Sequence, residues 1–150
     1  MSATRTKNYM NWTGVTVTPA GGQAITITEV TEVNPDLDST HEKAYGDNRR
    51  FAKCIRETQL ERMVSITTGD VATANTIPVN TPCTITATLN DAFNGAGTGA
   101  ITYTFKNAVL KSNKVKGANN KFAEATLEFD CFGDDSSAYD SDPFSFAVAQ

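Results

Sequence analysis

Histidine is almost missing from this sequence: His41 is the one copy in 150 residues. A general base needs a second group that holds it in place. Around His41 the chain offers only Asp36, Asp38 and Glu42, too loose a set to read as a catalytic centre. Cysteine is scarce too. Cys54, Cys83 and Cys131 are odd in number, widely spaced and free of any CxxC pair. That pattern excludes a paired-thiolate zinc site and a disulfide framework, and it suits free thiols in a reducing compartment. No apolar run approaches the roughly 18 residues of a membrane-spanning helix, so no membrane segment is expected. The stretch before Trp12 has no apolar centre, so no signal peptide is expected. Basic residues are outnumbered, with 13 Lys+Arg against 17 Asp+Glu and a net charge of −4. A protein that grips phosphates needs a basic patch. The charge balance therefore excludes a nucleic-acid clamp, though not a surface that nucleic acid slides past. Gly95, Gly97 and Gly99 suggest a phosphate loop, but no lysine follows and a strand comes next, so a flexible connection is expected. No catalytic residue, metal or cofactor is expected.

Threonine is what the chain has in excess, with 22 copies. β-branched residues with a polar end suit strands that have one wet face. From Cys83 to Leu89, apolar residues and threonine alternate with a period of two, the signature of a half-buried strand. Val15 and Val17 alternate with Thr16 and Thr18, and Ile25 and Ile27 with Thr26 and Thr28. The turn at Pro19, Gly21 and Gly22 makes residues 14–33 a hairpin, with its second strand running on towards Val33.

Residues 34–50 break the alternation. Asn34, Pro35, Asp36, Asp38 and Ser39 are turn formers, and Glu42 to Arg50 is charged, so a long polar loop is expected there. Phe51–Arg56 and Arg62–Thr67 read as two strands. Asp70 is placed to cap a short helix over 70–76 that Pro78 stops. Ile101, Tyr103 and Phe105, then Ala125, Leu127 and Phe129, form the two arms of a long hairpin around a polar turn at 111–121. Phe144, Phe146 and Val148 form a last strand. Cys83 and Cys131 fall in phase with apolar positions and are expected as small buried hydrophobes.

Seven or more antiparallel strands and one short helix predict an all-β fold, a sandwich or barrel in a single domain over 1–150. The expected core is Val15, Val17, Ile25, Ile27, Val64, Ile66, Ile85, Leu89, Ile101, Tyr103, Phe105, Leu127, Phe129 and Phe144. Glu124, Glu128 and Asp130 share the wet face of one strand. They are either a solvated face or a wall that repels a polyanion.

The order of these features carries a resemblance. An N-terminal hairpin leads to a long polar segment, two strands and a short helix. A threonine-rich strand follows, ending Leu89-Asn90-Asp91-Ala92. A hairpin containing Asn107-Ala108-Val109-Leu110-Lys111-Ser112-Asn113 and Phe122-Ala123-Glu124-Ala125-Thr126-Leu127-Glu128-Phe129 closes the domain. This resembles the tail tube proteins of tailed bacteriophages, and it is similar to the haemolysin-coregulated tube protein of type VI secretion, which has that fold. The resemblance implies a structural virion protein: hexameric rings stacked into a hollow tube through which phage DNA is ejected. It implies self-association and contact with sheath, tape measure, terminator and baseplate proteins, in a virion tail assembled in the bacterial cytoplasm. The inter-ring segment would then hold Asp36, Asp38, His41, Glu42, Lys43, Tyr45, Arg49 and Arg50. The lumen would be faced by Glu124, Glu128 and Asp130. Two rivals stand beside this: another tail ring such as a terminator or baseplate protein, and a monomeric β-sandwich binding module using Trp12, Tyr45 or Tyr139.

Overall fold

The structure is a computed structural model, and it describes residues 10–46, 50–52, 54–91, 100–133 and 142–148. The glycine-rich segment at 95–99, Arg49 and Tyr139 lie outside the described residues. The chain is all-β with one short helix, as its alternation predicts. In order come β1 (Met10–Pro19), β2 (Ile25–Ile27), β3 (Val30–Ala44), β4 (Cys54–Thr68), α1 (Val71–Ala74), β5 (Cys83–Asp91), β6 (Ile101–Lys116), β7 (Glu124–Cys131) and β8 (Phe144–Val148). They form one antiparallel sheet, in the order β2-β1-β5-β6-β7-β4-β3, with β8 also on β6.

Period-two patterning sets the register. Val17 lies opposite Ile85, Ile85 opposite Phe105, Leu110 opposite Phe129 and Val64 opposite Phe129, so one face of every central strand is apolar. The sheet rolls around that face without closing, and β2 and β3 are its two ends. Nine of the expected core residues are buried: Val15, Val17, Ile27, Val64, Ile66, Ile85, Phe105, Leu127 and Phe129. Each large one contributes about 1.5–3 kcal/mol. Ile25, Tyr103 and Phe144 pack against that core from partly buried positions. Val33, Ile77, Leu110 and Ala125 are buried as well, beyond the sequence expectation.

The corner between β2 and β3 is held by polar groups. Glu29 sits at φ 53, a left-handed conformation that breaks the strand the sequence runs on to Val33. The Thr68 hydroxyl donates to the Thr28 carbonyl at 2.5 Å and accepts from the Asp70 amide at 2.9 Å. Asp70 caps α1 by accepting from the Thr73 amide. It also accepts from the Thr28 hydroxyl at 2.9 Å. These bonds favour the ionised carboxylate and hold its pKa down, the bond from Thr73 most of all.

β6 changes neighbours halfway along. Its C-terminal part, Ala108–Lys116, pairs with β7, while Ile101–Phe105 pairs with β8 on the same side. The switch occurs at Asn107, at φ 54, where the side-chain amide donates to the Gly133 carbonyl at 3.1 Å. Asparagine tolerates this conformation because its short polar side chain can bond locally. β8 thus resumes the track that β7 leaves.

Three expectations are corrected. Residues 34–44 are not a loop: β3 runs to Ala44 and pairs with β4 over its whole length. Both faces of this stretch are wet, so its polar residues carry no period-two signal although the backbone is extended. The two strands expected between 51 and 67 are one, β4. The helix expected over 70–76 spans Val71–Ala74.

Candidate assembly surfaces

Three surfaces follow from this topology. The first is an arm. β4 pairs with β7 only as far as Arg62, which lies opposite Cys131. Beyond that point, among the described residues, β3 and β4 pair only with each other, through Asp38↔Glu61 and on to Ala44↔Cys54. A two-stranded ribbon alone in water is marginal. This one also carries exposed Leu37, Ile55 and Leu60, with Tyr45 past its end and Phe51 78% exposed near its tip. The Arg50 guanidinium stacks over the Phe51 ring at 5.7 Å. At the base, Arg62 grips Asp142 with Nε and Nη2, both at 3.1 Å, while Nη1 donates to the Asp38 and Glu61 carbonyls. The bond from Arg62 holds the Asp142 carboxyl below its usual range.

Of the residues singled out in sequence for an inter-ring segment, Asp38, His41, Glu42 and Lys43 sit on this arm, Asp36 lies on β3 just before it, Tyr45 and Arg50 lie beyond the strands, and Arg49 lies outside the described residues. Asp36, Asp38, His41, Glu42 and Lys43 belong to β3 and are exposed. Asp36 and Asp38 are two apart and share a face. The negative charge of Asp38 is the main cause that raises the Asp36 pKa. His41 Nε2 lies 3.5 Å from Ser39 Oγ, beyond a register shift at Thr40.

The second surface is the wet face of the sheet. Asp130 lies opposite Met63, which lies opposite Asp36, and Glu128 lies opposite Ser65, which lies opposite Asn34. These residues and Lys111 line a shallow hollow of about 270 Å³. Glu124 stands apart from that cluster, opposite Lys116, and Thr126 stands opposite Lys114. The structure thus gathers Glu128 and Asp130 with Asp36 and places Glu124 among lysines. Across β2, β1, β5 and β6 the same face is a row of hydroxyls: Thr26, Thr16, Thr86 and Thr104 lie opposite one another in turn, and Thr88 Oγ1 is 3.3 Å from Thr102 Oγ1. Each strand shows its own threonines in sequence. Their alignment into one lattice depends on register, which no single strand carries.

The third surface is an edge. Among the described residues β3 ends the sheet and has β4 as its one partner strand, so no strand lies along its outer edge. Long open edges invite another strand.

Chemistry of other kinds is thinly represented. Among the described residues, no group of three or more His, Cys, Asp or Glu could hold a metal ion. No helix among them is long and apolar enough to cross a membrane. Cys83 is buried, and Cys131 partly so. Burial pushes the Cys131 thiol up to about 12, with the Asp130 and Asp142 charges adding to it. Both cysteines flank Ala108 in one row across β5, β6 and β7. Two strand spacings, about 9.6 Å, are too far for a disulfide.

No protein-family model matches the sequence, and no curated protein matches it. Solved structures do. A chain in the cryo-EM structure of the anti-feeding prophage (AFP) baseplate, 6-fold symmetrised, aligns with a TM-score of 0.58 at 10% identity, over 99% of this chain and 98% of that one. A chain of the AFP tube-terminating cap aligns with a TM-score of 0.49 at 16% identity, over 90% of this chain and 88% of that one. The chain therefore shares, along its full length, the fold of a chain in the AFP baseplate.

Proposed function

We propose that the chain is a structural subunit of a phage-tail-like particle that associates with copies of itself into rings, and that it has no enzymatic role. The observation that carries this reading is the arm. A two-stranded ribbon with exposed Leu37, Ile55 and Leu60 and an open outer edge is a poor monomer surface and a good assembly surface. Pairing of that edge with a neighbour closes a ring when the rotation returns to the start. The shared fold with a chain in a six-fold particle agrees with this.

Within that class, the tail tube is the reading we favour: hexameric rings stacked into a channel for DNA, with the arm reaching a neighbouring subunit. Its other partners are tail proteins such as sheath, tape measure, terminator and baseplate, and its place is the tail. The wet face supports it. Over β2, β1, β5 and the first half of β6 it is a row of hydroxyls, and where lysines stand on this face Lys111 lies among Asp36, Glu128 and Asp130 and Lys116 lies opposite Glu124, so acidic groups compete with phosphate for them; each phosphate contact avoided removes a binding contribution from counterion release. A second reading, a baseplate ring component, is favoured by the AFP baseplate likeness.

The triple variant Glu124→Lys, Glu128→Lys, Asp130→Lys tests the channel. These positions alternate with buried Ala125, Leu127 and Phe129, so the swap spares the core. Assemblies of the variant are expected to retain DNA that parent assemblies release, with retention falling steeply as salt rises. Equal release by both would place this face outside the channel. A parent chain that never assembles would remove the ring reading itself.

A further inference from the structure

The arm leaves the sheet, and β8 enters it, at one place. β4 loses β7 after Arg62, which lies opposite Cys131, and Cys131 lies opposite Ala108 on β6. One residue back along β6 the β7 track ends, where the Phe132 amide donates to the Asn107 carbonyl at 3.3 Å. One residue further back the Lys106 amide donates to the Pro143 carbonyl at 2.9 Å, and β8 begins with Phe144 opposite Phe105. Asp142 therefore stands at the entry to β8, and its Oδ1 accepts from the Phe144 amide at 2.9 Å.

One guanidinium spans these two points. Arg62 Nε and Nη2 each lie 3.1 Å from the Asp142 carboxylate, while Nη1 donates to the Asp38 carbonyl at 3.3 Å and the Glu61 carbonyl at 3.2 Å. Asp38 and Glu61 are the first pair of the arm. The guanidinium is planar and its donors are fixed in one fork. A turn of the arm about its base therefore cannot keep both sets of bonds. The Arg62 side chain is 13% exposed. Letting go of the carboxylate leaves a largely buried charge without its partner, a costly state.

We propose that Arg62 is a coupling residue: through it, the set of the arm on the sheet and the seat of β8 on β6 form one cooperative unit. β8 has five residues and, among the described strands, β6 as its one partner, so its seat is weakly held. The two-stranded arm is weakly held as well. Each of these elements lies towards the low end of local stability, and each is steadied by the other through the Arg62–Asp142 pair. Such coupling is reciprocal. Whatever holds the arm thereby tightens β8, and release of β8 loosens the arm. The coupling belongs to the single chain and stands whether or not the chain forms rings.

Hydrogen–deuterium exchange on the dilute full chain tests it, read separately over β8, over the arm at 38–44 and 54–61, and over β5 as an internal reference. Asp142→Asn removes the charge and keeps an oxygen for the Phe144 amide. Arg62→Lys keeps the charge and offers one ammonium in place of the fork. Each is expected to speed exchange roughly tenfold in both β8 and the arm, the scale of a hydrogen bond to a charged group, with β5 at the parent rate. The double variant should exchange no faster than the faster single one, since both changes break the same link. Faster exchange in one element alone, with the other at the parent rate in both single variants, would reduce the pair to a local pin and overturn the coupling. Unchanged exchange in both elements would overturn it too, as would a double variant whose effects add or a rise that spreads equally to β5.

Discussion

Replacing residues 40–59 by a two-residue Asn-Gly turn is expected to yield a folded monomer that no longer assembles. Ser39 lies opposite Leu60, so a two-residue loop closes the shortened hairpin in its native register. The cut leaves Arg62 and its bonds to Asp142 in place. It removes only arm residues, and the buried core is untouched. Shortening the connection from 20 residues to two changes its closure entropy by only about 2 kcal/mol, in the stabilising direction. Assembly should suffer far more, since the far end of the β3 edge goes with the arm, together with exposed Tyr45, Phe51 and Ile55. Circular dichroism checks the fold, and sedimentation checks the assembly. A truncated chain that still builds rings would show that the arm is not the assembling surface. A cut confined to residues 36–47 is a poorer probe, because it removes β3 from beside β4 and leaves a second long edge unpaired.

Phe105→Ala is expected to have the largest effect on stability, a loss of about 3–5 kcal/mol. Phe105 is fully buried, lies opposite Ile85 on β5 and Phe144 on β8, and its ring centroid is 5.1 Å from that of Phe144. Its loss opens a cavity and also loosens β8, whose one partner among the described strands is β6. Domains of this kind are stable by about 5–15 kcal/mol, so the change consumes a large part of the margin. Urea denaturation measures it. A loss below about 1 kcal/mol would mean that β8 and the residues around it collapse into the space.

The fold was legible wherever one face is dry and the other wet. Cys83–Leu89, Ile101–Phe105 and Ala125–Cys131 are strands because their buried and exposed residues alternate, and the structure places each as expected. The arm was not legible as a strand. Asp36 to Lys43 are exposed on both faces, so their extended backbone leaves no period in the sequence, and turn-forming residues such as Pro35 and Asp38 point to a loop. The interruption of the strand at Glu29 and the change of partner at Asn107 depend on positive φ at residues other than glycine, which sequence does not announce. For the candidate surfaces, the alternation gave the shared face of Glu124, Glu128 and Asp130. Only the cross-strand register shows that Glu128 and Asp130 adjoin Asp36 while Glu124 adjoins Lys116.

The central claim is that this chain assembles with copies of itself into rings. The most direct measurement is a concentration series of the purified full chain imaged by negative-stain electron microscopy, with sedimentation velocity on the same samples. The account predicts hollow rings of uniform diameter, passing into stacks as concentration rises, and a sedimenting species many times the mass of one subunit. A single 16.1 kDa species at every concentration, with no rings in any field, would contradict it.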